Sequence, residues 1–170
     1  MTYYYRYFTA GTVATKALLD DREPLSVVKA SNQSVTNSTV KVADTALTLP
    51  VAANAIYHVS VMVVVSGPTG ADWSQLWTFP AGATGTRFSH GPELSVASVR
   101  ATSINARSAP IGTSLAYGTD GTENSAIREE IWLNTAGTAG NLALTWAQNV
   151  AVASATTVLA GSWMTAYRVV

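Results

Sequence analysis

His58 and His90 are the only histidines of the chain, and they fall in different predicted elements. A metal site needs three or four convergent ligands. Neither histidine has a carboxylate at ligand spacing along the sequence, so both read as exposed or interface residues. Glu129 and Glu130 are of the right type for two-carboxylate hydrolysis of a glycosidic bond. They sit in SAIREEIWLNT, an alternating stretch in which neighbouring side chains point to opposite faces of a strand. They therefore do not converge on one bond, and the reading is a solvated or salt-bridged pair. GTDGTEN offers the hard oxygens of Asp120, Glu123 and Asn124 without the spacing of a calcium loop, and its glycines mark a turn. Ser114 and Ser162 lie in no G-x-S-x-G and have no nearby histidine to activate them. No phosphate-binding or dinucleotide fingerprint occurs. No catalytic residue, metal or cofactor is expected, and the chain reads as a non-enzyme.

Composition narrows the classes further. The chain has 170 residues, near the size of one domain. Ten basic and ten acidic residues cancel, and charged residues make up 12% of the chain, against about 25% in an average globular protein. Nucleic-acid binding needs clustered Lys and Arg, whereas lysine occurs only at Lys16, Lys29 and Lys41. A surface so poor in charge implies cover by partners. Without cysteine there is no disulfide framework or thiolate metal site. The opening MTYYYRYFTAG lacks the features of a secretory signal. The longest apolar run, Val59 to Val65, is interrupted by Ser60 and falls far short of the roughly 20 residues of a membrane helix. The expectation is a soluble protein made in a cytoplasm, with neither membrane nor nucleic acid as partner.

The elements that must position these residues are mostly strands. Thr12 to Asp21, TVATKALLDD, predicts one short helix, capped by Thr12 and ended by Pro24. From Ser34 onward β-branched residues dominate. VTNSTVKV and ALTLPV predict two short runs, and Pro50 with Asn54 a turn. In AIYHVSVMVVVSG the residues Tyr57, Val59, Val61, Val63 and Val65 share a core face, opposite Ile56, His58, Ser60, Met62 and Val64. DWSQLWTFP groups Trp73, Gln75, Trp77 and Phe79. Ile127, Glu129, Ile131 and Leu133 oppose Arg128, Glu130, Trp132 and Asn134. NLALTWAQNV groups Leu142, Leu144, Trp146 and Gln148, and TTVLAGSWMTAYRV supplies the last strand. Periodicity is weak from Ser95 to Asn124, where two short strands fit. Many short strands with small-residue turns predict an all-β sandwich or barrel.

The aromatic residues point to assembly. Trp73, Trp77, Trp132, Trp146 and Trp163 lie within strand patterns, which favours core and subunit interface over a sugar-stacking platform. Tyr3, Tyr4, Tyr5, Arg6, Tyr7 and Phe8 form an aromatic arm of the residue types that anchor interfaces. The arm is expected to dock on a shell or a neighbouring subunit. In the final strand Val158, Ala160, Ser162 and Met164 alternate with Leu159, Gly161, Trp163 and Tyr167, so both faces call for cover. Met62, Trp146, Trp163, Met164 and Tyr167 are the candidate interface residues. Trp163 and Met164, on opposite faces, separate the core role from the partner role.

GTAGNLALTWAQNVAVASATTVLAGSWMTAYRV resembles the closing strand pair of an actinobacterial phage structural-protein family. The shared pattern is an apolar strand, W-A-Q, an Ala/Thr-rich loop and then A-G-S-x-[LM]-x-A-x-R-V. ALTLPVAANAIYHVSVMVVVSGPTGADWSQLWTFPAGATG is similar to that family's L-x-L-x-V-x-A-N-A-x-Y-x-V segment and P-A-G-A turn. FTAGTVATKALLDDREPLSV resembles the short leader of many phage virion proteins. The resemblance implies a jelly-roll β-sandwich over residues 34–170, similar to tumour-necrosis-factor and complement heads, preceded by an arm and short helix over residues 1–33. It also implies a homotrimer. The expected role is a capsid decoration protein on the outer surface of the virion, with the major capsid protein as partner. A tail-tip or fibre head that binds other tail proteins or a host glycan is the alternative.

Overall fold

The computed structural model describes residues 11, 13, 15, 23–94 and 104–169. The predicted helix at Thr12–Asp21, but for Val13 and Thr15, and the aromatic arm at Tyr3–Phe8 lie outside the described residues. The described chain is all-β: β1 (Leu25–Val28), β2 (Gln33–Val35), β3 (Val42–Val51), β4 (Ile56–Ser66), β5 (Trp73–Thr78), β6 (Thr84–Pro92), β7 (Ile104–Pro110), β8 (Leu115–Tyr117), β9 (Ser125–Asn134), β10 (Gly140–Gln148), β11 (Thr156–Val158) and β12 (Trp163–Arg168).

The pairing is nested. β1 pairs with β12, β3 with β10, β4 with β9 and β5 with β8, all antiparallel. A long antiparallel ribbon with this pairing, rolled up on itself, is a jelly roll. It gives two sheets, β1-β12-β4-β9 and β3-β10-β5-β8. The β6–β7 hairpin, inserted between β5 and β8, pairs along β9 and widens the first sheet to a path of six strands, with β2 and β11 attached at one side. Strand β1 joins this sheet through Leu25↔Ala166 to Val28↔Trp163, so the sheet begins within the segment 1–33 expected to hold only arm and helix.

The core follows the alternation in the sequence. Tyr57, Val59, Val61, Val63 and Val65 of β4 are buried against Leu142, Leu144 and Trp146 of β10 and Trp73 and Trp77 of β5, in one continuous cluster. Period-2 burial in β4 and β9 results from pleating, which sends successive side chains to opposite faces. Two predicted runs divide. Of VTNSTVKV only the end residues Val35 and Val42 lie in strands, β2 and β3, and residues 36–41 form a loop in which Asn37 has φ 49°, a left-handed conformation Asn tolerates better than most residues. TTVLAGSWMTAYRV splits into β11 and β12 at Gly161, φ 87°. Pro50 lies inside β3, an edge strand of the second sheet, where a missing N–H is tolerated. Asn54, φ 53°, makes the expected turn.

A buried ion pair fixes the start of the sandwich. β3 slips register against β10 between Ala143 and Thr145. Across that bulge Asp44 Oδ1 accepts the Ala46 and Leu47 N–H groups, and Oδ2 accepts Trp146 Nε1–H at 3.2 Å. Lys29 Nζ donates to both Asp44 oxygens at 2.9 and 3.0 Å and to Gln33 and Thr45. The bulge would otherwise strand polar groups in the core, and these bonds remove that cost.

Candidate interaction surface

The register along the six-strand path of the eight-stranded sheet brings distant residues into rows across its outer face. One row reads Tyr167, His58, Trp132, Thr86 and Pro110. The next reads Ser26, Thr165, Ser60, Glu130, Phe88 and Ser108, and a third Val28, Trp163, Met62, Arg128, His90 and Ala106. No described element covers these rows. Val28 is 63% exposed, Tyr167 50%, Trp132 47% and Phe88 46%. The outer face of the other sheet is built differently, from Thr48, Pro50, Leu76, Thr78, Asn141, Ala143 and Thr145. Among the described residues, only the eight-stranded sheet presents large aromatic groups outward.

A charged cluster sits in the middle of the aromatic face. Glu130 Oε2 accepts the Ser60 hydroxyl at 2.5 Å and lies 3.0 Å from His58 Nε2. Its Oε1 accepts Arg128 Nε–H and Nη2–H at 3.2 and 3.0 Å. Partial burial raises the Glu130 pKa, but the Ser60 and Arg128 hydrogen bonds and the His58 and Arg128 charges outweigh it and hold the carboxyl below the usual range. The His58 ring stacks on Trp132, with centroids 5.1 Å apart and planes 31° apart. A shallow groove of about 310 Å³ opens beside the cluster, lined by Met62, His90, Ile104, Ala126 and Arg128 among others.

Glu129 faces the other way. Its carboxylate lies between the sheets, accepting Trp77 Nε1–H at 2.7 Å and a bond from Gln75 Nε2–H, with Arg87 Nη1 at 3.4 Å. Burial pushes its pKa up against the opposing pull of Arg87, Trp77 and Gln75. Glu129 is thus ion-paired in the core instead of solvated, and it shares no site with Glu130. The GTDGTEN loop is a turn: Asp120 Oδ1 accepts the Thr122 and Glu123 N–H groups, and Gly121 has φ 82°.

The candidate interface residues divide by face. Met62, Trp163 and Tyr167 lie on the uncovered face, the first two half-buried. Trp146 and Met164 are fully buried within the one chain and have no surface to offer a second copy. Their parity in β10 and β12 turns them into the sandwich, which corrects both assignments. Trp163 and Met164 do lie on opposite faces, with Met164 in the core. Phe88 and the His58–Glu130 contact are absent from the sequence reading, and Trp132 stands there only among the five tryptophans, not among the candidate interface residues. The alternation of β9 already set Trp132 apart from the core residues, but the neighbours of His58 depend on cross-strand register. No helix among the described residues is long and apolar enough to cross a membrane.

Comparisons with known proteins add little. No protein-family model matches the chain, and no curated protein matches its sequence. Among solved structures, it overlaps a chain of infectious bursal disease virus, Gt strain, with a TM-score of 0.21 and 13% identity, covering 96% of this chain and 46% of that one. Mutant VP2 protein of the same virus in T=1 particles gives a TM-score of 0.23 and 13% identity, covering 96% and 44%. The VP2 subviral particle gives 0.23 and 14%, covering 96% and 45%. The chain spans less than half the length of these proteins, and overlaps of this size establish no shared function.

Proposed function

We propose that the chain is a structural protein of a phage virion, a trimeric jelly-roll head that decorates the outside of the capsid. The observation that carries this reading is the uncovered face of the eight-stranded sheet, with its exposed aromatic groups. Large apolar side chains left exposed together with polar groups on one sheet face mark interaction sites. Val28, Phe88, Trp132, Trp163 and Tyr167 all contribute to this face. Neighbouring copies around a threefold axis would cover this face, while the Tyr3–Phe8 arm of each copy grips the major capsid protein. The nested strand order and the resemblance of three segments to phage virion proteins support the same reading. The protein would then act through buried area and positioning, with no bond chemistry of its own.

Light scattering on the full chain tests the assembly, the expected mass being three times the 17.8 kDa of one chain. Deleting residues 1–11 is expected to leave the trimer intact and abolish co-sedimentation with capsids. A truncated protein that still decorates capsids overturns the arm assignment. Specific binding to a glycan array, lost on substitution at Asp120, would instead favour the tail-tip reading.

A further inference from the structure

The ion pair of Lys29 and Asp44 takes no part in the surface described above, and it holds an amine against a carboxyl group. Both side chains are fully enclosed, and Lys29 Nζ stands 2.9 and 3.0 Å from the two carboxyl oxygens of Asp44. A nitrogen so close to both oxygens also stands against the carbon that bears them, and bond formation starts from separations of about 3–3.5 Å. The two residues belong to different layers of the sandwich. Lys29 follows β1 of the eight-stranded sheet, and Asp44 lies in β3 of the four-stranded one.

The donors around Asp44 are those that acyl transfer needs. Oδ1 accepts two backbone N–H groups, from Ala46 and Leu47, each at 2.9 Å. Paired backbone donors on one carboxyl oxygen stabilise the negative charge it carries when a nucleophile adds to the carbon. Oδ2 has a different partner, Trp146 Nε1–H at 3.2 Å, so the two oxygens are not equivalent. Nζ also donates to Thr45 Oγ1 at 3.1 Å and to Gln33 Oε1 at 3.2 Å. A hydroxyl both accepts and donates, so Thr45 can take a proton from Nζ and pass on its own.

We propose that Lys29 and Asp44 condense to an amide, a covalent bond that joins the two sheets. A first proton moves from Nζ to Oδ2, leaving a neutral amine beside a neutral carboxylic acid. The Nζ lone pair adds to Cγ, and Oδ1 takes the negative charge under the Ala46 and Leu47 N–H groups. A second proton passes from Nζ through the Thr45 hydroxyl to Oδ2, the Cγ–Oδ2 bond breaks, and Oδ2 departs as water. Oδ1 re-forms the carbonyl and keeps both backbone bonds, and the hydrogen left on nitrogen keeps Gln33 Oε1 as its acceptor. Nothing is oxidised or reduced, and no other reactant enters. Burial sets the direction, because two enclosed charges give way to one neutral amide that costs far less to keep from water. The bond suits its place in the fold. Strand β1 pairs with β12 alone, and a staple just after it passes any load on the preceding residues to β3.

The test is peptide mapping of the purified full chain, fully denatured, by trypsin and tandem mass spectrometry. Trypsin cuts the unlinked chain after Arg22, Lys29, Lys41 and Arg87 in this region. The expected product is one branched peptide: residues 23–41, uncut at Lys29, joined to residues 42–87 and lighter than their sum by one water. Separate peptides 23–29 and 42–87 overturn the proposal, as does a water loss that fragmentation places elsewhere. Lys29→Arg keeps the cation but removes the amine nucleophile. It is expected to release peptide 42–87 unlinked, and a branched product from this variant also overturns the assignment.

Discussion

Replacing Trp132 with Ala removes the largest exposed side chain of the sheet face without touching the core. The ring is 47% exposed. An aromatic side chain buries 150–250 Å² when fully covered, so a neighbouring copy would cover roughly 100 Å² more. At about 25 cal/mol per Å² this is about 2.5 kcal/mol for each such contact. Association should weaken about 50-fold or more, since about 1.4 kcal/mol is a factor of ten. The single chain should lose about 1–2 kcal/mol, the side chain lying outside the core but stacked on His58. Met164→Ala is the mirror experiment. Met164 is fully buried in the sandwich, so truncation should cost about 2–5 kcal/mol of folding stability. For a chain of this size that lowers Tm by roughly 5–15 °C. Sedimentation equilibrium reads association and calorimetry reads Tm. A Trp132→Ala protein with the parent's dissociation constant refutes the interface argument, and a Met164→Ala protein with the parent's Tm refutes the assignment of faces.

Three further outcomes concern the framework that holds the face. Arg87→Met leaves Glu129 buried without its cation and should lower stability by about 3–5 kcal/mol, measured by urea denaturation. Because burial raises the folded-state pKa of Glu129 above its unfolded value, the stability linked to its proton is full below the unfolded pKa. It is lost as pH rises through the folded one. Glu129→Gln cannot titrate, so its Tm should fall less than the parent's as pH is raised upward from the carboxylate range, and equal slopes would count against the raised pKa. Lys29→Met leaves Asp44 buried at the β3 bulge without its partner and should also cost about 3–5 kcal/mol, with amide exchange at Ala46 and Leu47 reporting whether the bulge loosens. At Gly91 an added Cβ would stand 2.5 Å from Tyr117 Cδ1. Gly91→Ala should therefore cost about 1–3 kcal/mol as the ring is displaced, visible as a lower Tm and altered near-ultraviolet dichroism.

Much of the wall construction is legible in the residues themselves. The alternation in AIYHVSVMVVVSG named the buried face of β4 residue by residue, and that in SAIREEIWLNT separated the two faces of β9 without saying which is buried, because strand pleating is local. Asn54 marked its turn for a similarly local reason, its tolerance of positive φ. The break at Gly161 was not legible, since the apolar parity continues from Val158 to Met164 across the turn. Ser95 to Asn124 was obscure because β7 is an edge strand with no fully buried residue and β8 has three residues, too few for a period to show.

The amino-acid sequence by itself indicated a β-rich chain of many short strands, which the described residues form, and named the inward face of β4. It set Glu129 and Trp132 on opposite faces of one strand from parity alone, but read Glu129 as solvated or salt-bridged and did not say which face is buried. Only the tertiary structure decided that Glu129 meets Arg87, 42 residues away, and that Ser60 meets Glu130, 70 residues away. It also decided that Trp146 and Met164 are spent on the core while Phe88, Trp132 and Tyr167 remain uncovered. The physical reason is that pleating is a property of adjacent residues, whereas pairing is a contest among all strands. Register, the nested order of the sheets and the bare aromatic face with both histidines exist only once that contest is resolved.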